Sequence, residues 1–132
     1  MKFIKYEVTF EPFSERHFIR TFAKKYKSAW DFTFSTITEE FEKIDVLFLK
    51  SIAERITDKD ADVVICKTEF KISGTQESRH GSGNRCIVAV HRDTRKVKVL
   101  LVYSKTDLGG GNETAKWRSL VKENYPEYKN LI

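Results

Sequence analysis

Apolar and polar residues alternate one by one over residues 5–10. A period of two is typical of a strand that buries one of its faces. Pro12 then ends the strand, and Ser14 is a suitable N-cap for a first helix. The sequence therefore predicts a short N-terminal strand that leads directly into a helix.

Apolar residues at spacings of three and four next predict two helices, each with one buried face. The first helix carries Phe18, Phe22, Tyr26 and Ala29 on its apolar face. Residues 36–39 form a capping box, and we expect a second helix to run from there to about Ile56. The apolar stripe of this second helix consists of Phe34, Ile37, Phe41, Ile44, Phe48, Ile52 and Ile56. The two helices are long enough to form an antiparallel helical hairpin.

Three strands and a last helix are predicted in the remaining chain. Residues 63–72 alternate in polarity, with Lys67 and Lys71 on one parity, so we expect both lysines on the same face. Arg85 begins a second apolar strand, and residues 97–102 are apolar on both parities, as in a central strand covered on both faces. After a Gly-rich joint, Asn112 is a suitable cap for the last helix.

The predicted element order is thus β-α-α-β-β-β-α. This order favours the α+β fold class: an N-terminal strand, a helical hairpin packed on a mainly antiparallel sheet, and a C-terminal helix. At 132 residues, the chain fits a single domain with a substantial core.

Composition indicates a soluble globular protein, with 40% apolar and 33% charged residues. No segment approaches the ~20 apolar residues that a membrane span needs. The first residues also lack the apolar region of a signal peptide, so we expect a cytoplasmic protein that does not bind membranes. Cys66 and Cys86 fall in separate apolar strands and are expected to be buried free thiols. No metal-ligand spacing is present, and no cofactor is expected.

Charge is unevenly distributed along the chain. Residues 1–30 carry a net charge of +4, residues 31–62 carry −5, residues 63–106 carry +6, and the remainder is neutral. The first helix has a basic face, which is either a solvated surface or part of a nucleic-acid interface. Its residues are Arg16, Arg20, Lys24, Lys25 and Lys27. With a pI of about 9.2, a basic face suits a polyanionic partner.

The segment 71–85 combines glycines with basic residues. Glycine allows a backbone to approach a ligand closely, and this loop also carries Arg79 and His80. The last strand ends at Tyr103 and Lys105, which we expect to present a phenol and an ammonium outside the core; the alternative for Tyr103 is a core residue with its hydroxyl at the edge. Such a hairpin suits a phosphate ligand, and the alternative is a basic solvated loop beside an ordinary hairpin.

Four short segments form an ordered set of motifs. Residues 18–28 read FIRTFAKKYKS, residues 71–73 read KIS, residues 80–88 read HGSGNRCIV, and residues 99–107 read VLLVYSKTD. In this order and spacing they resemble the RelE/ParE-like toxins of bacterial toxin–antitoxin modules, particularly the RelE/HigB-type branch. Ser73 stands where that branch has arginine, and its lysine before the Gly-rich turn has no match here. The resemblance implies a single RelE-like toxin domain over residues 1–132.

The resemblance also implies a function. RelE and HigB types inhibit translation by cleaving mRNA on the ribosome, which would make the partners a cognate antitoxin, mRNA and the ribosome. ParE types instead inhibit DNA gyrase, and some relatives have no known activity. A gyrase inhibitor and an inactive interaction protein therefore stay open as alternatives to a metal-independent endoribonuclease.

Metal-independent RNA cleavage needs a base, an acid, and cations that stabilise the phosphorane. Arg85 matches the family hairpin and would clamp the phosphate, because a guanidinium binds two oxygens at once. We expect its side chain to be partly exposed, and we leave the identity of the base open. The other candidate catalytic residues are Lys71, His80, Tyr103 and Lys105. The candidate RNA-binding residues are Lys67, Arg79, His91, Arg20 and Lys24, with His91 expected in a solvent-facing turn.

Overall fold

A single twisted sheet organises the protein in this computed structural model, which describes residues 4–57, 61–108 and 111–132. Within these residues the strands are Glu7–Phe10 (β1), Glu54–Arg55 (β2), Val63–Phe70 (β3), Asn84–His91 (β4) and Lys96–Ser104 (β5). They lie in the order β1-β5-β4-β3-β2. β1 pairs with β5 in parallel, and the other three pairs are antiparallel. The prediction of a mainly antiparallel sheet is confirmed.

Helical segments lie in two parts of the chain, one between β1 and β2 and the other after β5. The first group is Pro12–Ser14 (α1), a π-helical turn at Glu15–Ile19, Arg20–Tyr26 (α2), Ser28–Glu42 (α3) and Ile44–Leu49 (α4). The second group is a 3₁₀ turn at Lys105–Leu108, the helix Glu113–Asn124 (α5) and a 3₁₀ segment at Pro126–Leu131. The α+β prediction, with an N-terminal strand and a C-terminal helix, is confirmed.

Several predicted helix boundaries are wrong. Ser14 is not an N-cap, because α1 already begins at Pro12 and Ser14 is fully buried. The predicted capping box lies inside α3, which begins at Ser28, and the hydroxyl of Thr36 donates to the carbonyl of Phe32. The second helix does not reach Ile56. It is interrupted at Lys43 and ends at Leu49, and β2 follows.

Helical layers cover both faces of the sheet. On one face Val64, Val88 and Val99 pack against α2, α3 and α4. On the other face Ile87 and Leu101 pack against the α5 residues Trp117 and Val121. Residues 97–102 of β5 are therefore apolar on both parities except Lys98, as the sequence predicts for a strand covered on both sides.

Both cysteines are buried free thiols, as predicted. Burial in the first of these apolar layers raises the pKa of the Cys66 thiol to about 12, so the group stays protonated at neutral pH. None of the described helices is long and apolar enough to cross a membrane.

Candidate active site

Three polar side chains lie side by side where β3, β4 and β5 approach the Gly-rich loop. The strand register places Glu69 opposite Arg85, and Arg85 opposite Tyr103. We call these three residues the Glu69 row. Residues of one parity share one face, so the row belongs to the face that α5 covers. It lies beside the apolar residues of this layer and brings in groups that can exchange protons or hold charge.

Arg85 is the buried centre of this row. Its side chain is only 1% exposed, so the expectation of a partly exposed arginine is wrong. Its Nη1 donates to the carbonyl of Asn84 at 3.1 Å, and its Nη2 donates to the carbonyl of His80 at 3.3 Å. Its Nε lies 3.9 Å from Oε1 of Glu69. The guanidinium therefore ties the Gly-rich loop to β3.

Tyr103 is also a core residue. Of the two expectations for Tyr103, the phenol outside the core is wrong and the core residue is confirmed, because Tyr103 is 0% exposed. Its hydroxyl donates to Oε2 of Glu113 at 2.7 Å, and Lys67 Nζ lies 3.7 Å from the same oxygen. The pKa of Tyr103 is raised above its ordinary value, mainly by burial and secondly by the hydrogen bond to Glu113. Lys67 and Tyr103 thus join β3 and β5 to the first residue of α5.

His80 is the solvent-accessible neighbour of the Glu69 row. We call the Glu69 row, together with His80, Lys67 and Glu113, the cluster. Its Nδ1 lies 2.9 Å from Oε1 of Glu69, and its side chain is 80% exposed. Burial alone would raise the pKa of Glu69, but the hydrogen bond with His80 and the charge of Arg85 outweigh burial and lower it. Glu69 is therefore an ionised partner that orients the His80 ring.

Hydrogen bonds within the Gly-rich loop fix its path. The hydroxyl of Ser82 can donate either to the carbonyl of Phe70 or to that of Arg79. It also accepts a hydrogen bond from the backbone N–H of Asn84. Gly83 has a φ of +76°, which favours glycine at this position. Lys105 donates its backbone N–H to the carbonyl of Gly83 at 2.9 Å, so the exposed Lys105 lies beside the loop.

Lys71 and Arg79 lie on the other side of the loop, next to α3. Lys71 follows the end of β3 and lines a cavity together with Thr33 and Thr36. Lys67, in contrast, pairs with Glu113 near α5. The expectation that Lys67 and Lys71 share a face is therefore wrong, because the alternation of a strand ends at Phe70.

The remaining candidates do not join the cluster. His91 lies at the opposite end of β4 from Arg85, and its Nε2 is 2.8 Å from the hydroxyl of Tyr128. It is half-buried, so the expectation of a solvent-facing turn residue is wrong. Arg20 and Lys24 are exposed on α2, as the predicted basic face requires.

Two acidic residues of the cluster, Glu69 and Glu113, are absent from the sequence-based candidates. Glu69 has a detectable signal, because it shares its parity with Lys67 within a predicted strand. Its pairing with Arg85 depends on strand register, which alternation within one strand does not specify. Glu113 has no comparable signal, since its role depends on how α5 crosses the sheet.

Among the described residues no three potential metal-ligating side chains lie together. Comparisons of the chain with family models, curated proteins and solved structures found no match in any of the three. The RelE-like resemblance therefore rests on the sequence motifs quoted above.

Proposed function

We propose that this protein is the toxin of a toxin–antitoxin module and cleaves mRNA on the ribosome as a metal-independent endoribonuclease. The observation that carries the proposal is the pair of His80 and Glu69, an exposed imidazole held at 2.9 Å by an ionised carboxylate. An imidazole oriented by a carboxylate is a common arrangement for a general base. The RelE-like motifs supply the identity of the target.

In this mechanism the 2′-hydroxyl of the RNA attacks the adjacent phosphorus. The second ring nitrogen of His80, Nε2, accepts the hydroxyl proton as the new O–P bond forms. Glu69 stabilises the resulting imidazolium. The bond from phosphorus to the 5′-oxygen breaks, and that oxygen takes a proton from the Lys105 ammonium. The products are a 2′,3′-cyclic phosphate and a free 5′-hydroxyl.

Arg85 has a positioning role in this proposal. Its donors reach two loop carbonyls, and its charge lies near Glu69, so it holds the loop and the carboxylate that orient His80. Direct binding of a phosphate by Arg85, which the family motif implies, would require these contacts to rearrange. Lys105 and Lys71, both exposed, supply the positive charge available to an RNA strand.

The test is transcript cleavage in a translation extract that contains active ribosomes. His80→Ala should lower cleavage about 10²- to 10⁴-fold, because the proton acceptor is lost. His17→Ala is the matched control, since His17 is exposed and lies outside the cluster. Equal cleavage by the parent and a folded His80→Ala variant would overturn the proposed role of His80.

A second candidate function is an inactive interaction protein of the same family. The observation that favours it is the burial of Arg85 and Tyr103, which removes two family site residues from solvent. A parent protein that binds an acidic antitoxin but leaves transcripts and DNA supercoiling unchanged would select this function.

A further inference from the structure

A cavity lies between α3 and the segment that follows β3. Its volume is about 410 Å³, within the range of 300–1,000 Å³ usual for ligand pockets. Ile37 and Phe70 provide apolar lining, whereas Lys71 and Arg79 provide two cations against the one carboxylate of Glu40. The cavity thus combines an apolar surface with positive charge, as a nucleotide requires.

The charged groups of this cavity are incompletely paired. Arg79 Nη1 contacts Oε2 of Glu40 at 2.8 Å, but Arg79 Nε is buried and has no hydrogen-bond partner among the described residues. A buried donor without a partner costs free energy, and a bound acceptor would satisfy it. Lys71 is exposed and forms no ion pair with any residue in the described ranges.

Arg79 lines both this cavity and a space beside the candidate active site. A second pocket of about 270 Å³ is lined by Arg79, Lys67 and Glu69. Arg79 therefore contributes to both spaces and directly precedes His80 in the chain. Arg79 is thus a shared neighbour of the cavity and of Glu69, the carboxylate that orients His80.

We propose that the cavity is a subsite for one nucleotide of a single-stranded RNA, adjacent to the phosphate at which the strand is cut. Lys71 and Arg79 bind a phosphate of this nucleotide, and its base lies against Ile37 and Phe70. Single-stranded RNA fits because its unstacked bases can turn outward into a pocket. This subsite deepens the proposed ribonuclease function and rests on it.

The test uses affinity for a fluorescent 2′-fluoro RNA oligonucleotide, which lacks the attacking hydroxyl. Thr36→Trp places a large ring in the cavity from an exposed helix position and should weaken binding roughly tenfold, by loss of one base contact. Ser35→Trp is the matched control, because Ser35 is exposed on the same helix and does not line the cavity. Lys71→Ala should make the affinity for the oligonucleotide less dependent on salt, by the equivalent of about one phosphate contact. Lys122→Ala should not change this dependence.

The outcomes separate this subsite from the activity. If the parent cleaves RNA through His80 but Thr36→Trp and Lys71→Ala bind like the parent, the subsite is wrong and the activity stands. If both variants weaken binding but the parent leaves transcripts intact, the RNA subsite stands and the nuclease proposal fails. Thermal melting of each variant checks folding, and Lys71→Ala, at an exposed position, remains informative if Thr36→Trp is unstable.

Discussion

At the scale of single residues, Glu69 is placed among three basic groups that differ in exposure. His80 is open to solvent, Lys67 is half-buried, and Arg85 is enclosed. Solvent weakens the attraction to an exposed charge much more than to a buried one. The Arg85 contact is therefore the part of the cluster that contributes most to folding, whereas His80 remains available for chemistry.

Arg85→Ala should consequently destabilise the fold. The substitution removes the guanidinium donors from the carbonyls of Asn84 and His80, of which the second keeps only the 3.4 Å contact with the backbone N–H of Gly83. We expect a loss of about 1–3 kcal/mol in the free energy of unfolding. Arg20→Ala removes an exposed arginine and should change stability by less than about 0.5 kcal/mol. Urea denaturation of the three proteins measures both effects.

The same unfolding midpoint for Arg85→Ala and the parent would contradict the structural role of the guanidinium. A loss of transcript cleavage in Arg85→Ala is informative only after this stability effect is known. Without that control, a partly unfolded variant would resemble one that has lost a catalytic group.

At the scale of elements, α5 has two tasks. Trp117 and Val121 cover the sheet. Glu113, in the first turn, accepts a hydrogen bond from the hydroxyl of Tyr103. The start of this helix is fixed by Asn112, whose Oδ1 accepts from the backbone N–H of Ala115 at 3.1 Å. The N-cap that the sequence predicts at Asn112 is confirmed, and it holds the helix turn that carries Glu113.

Asn112→Ala should lower stability by about 1 kcal/mol, the usual effect of losing an N-cap side chain. Asn112→Asp keeps an acceptor at the same place and should preserve most of that stability. Asn130→Ala, at an exposed position in the last 3₁₀ segment, is the control. Thermal melting distinguishes them, and an Asn112→Ala curve identical to that of the parent would contradict the capping role.

The sequence predicts elements better than it predicts their ends or their neighbours. Alternation and helical spacing report which face of a segment is buried, so the order of helices and strands follows from them. Helix ends are harder, because the hydroxyl of Thr36 can cap a helix or donate within one, and α3 uses the second option.

Part of the candidate site is predictable from residue types alone. The glycines and basic residues of one loop are enough to single out His80 and its neighbours. The pairing of Glu69 with Arg85 depends on register, and the burial of Tyr103 depends on α5. Both arise from contacts between distant segments, which local patterns do not encode.

At the scale of the whole molecule, the sheet has polar groups at both ends. The Glu69 row lies at one end, and the contact of His91 with Tyr128 lies at the other. Burial, followed by the charge of Lys98, lowers the pKa of His91 below its ordinary value of 6.5, although Asp93 and Glu127 oppose this change. This neutral histidine holds the C-terminal 3₁₀ segment against β4.

Stability should therefore decrease as the pH falls through about 6.5. Below that pH His91 is protonated in the unfolded chain, but it stays neutral in the folded chain, where its pKa is lower. Protons therefore bind preferentially to the unfolded chain and favour unfolding until the pH reaches the pKa of the folded state. His91→Gln removes this titration. Urea midpoints at about pH 7.5 and about pH 5.5 should differ more in the parent than in His91→Gln.

The control for this pH effect is His17→Gln, because His17 is an exposed helix residue. It should retain the difference seen in the parent. An equal difference in the parent and in His91→Gln would assign the acid sensitivity to other groups.

The parallel pairing of β1 with β5 has a consequence for the time at which the sheet can form during synthesis. Glu7 pairs with Lys96, so nearly 90 residues must be synthesised before β1 meets its partner. At about 5–20 residues per second, this interval lasts on the order of 5–20 s. Tyr103 and Glu113 emerge later still. For the proposed activity this means that a nascent chain cannot attack the message that encodes it until the ribosome has passed the codon of Glu113.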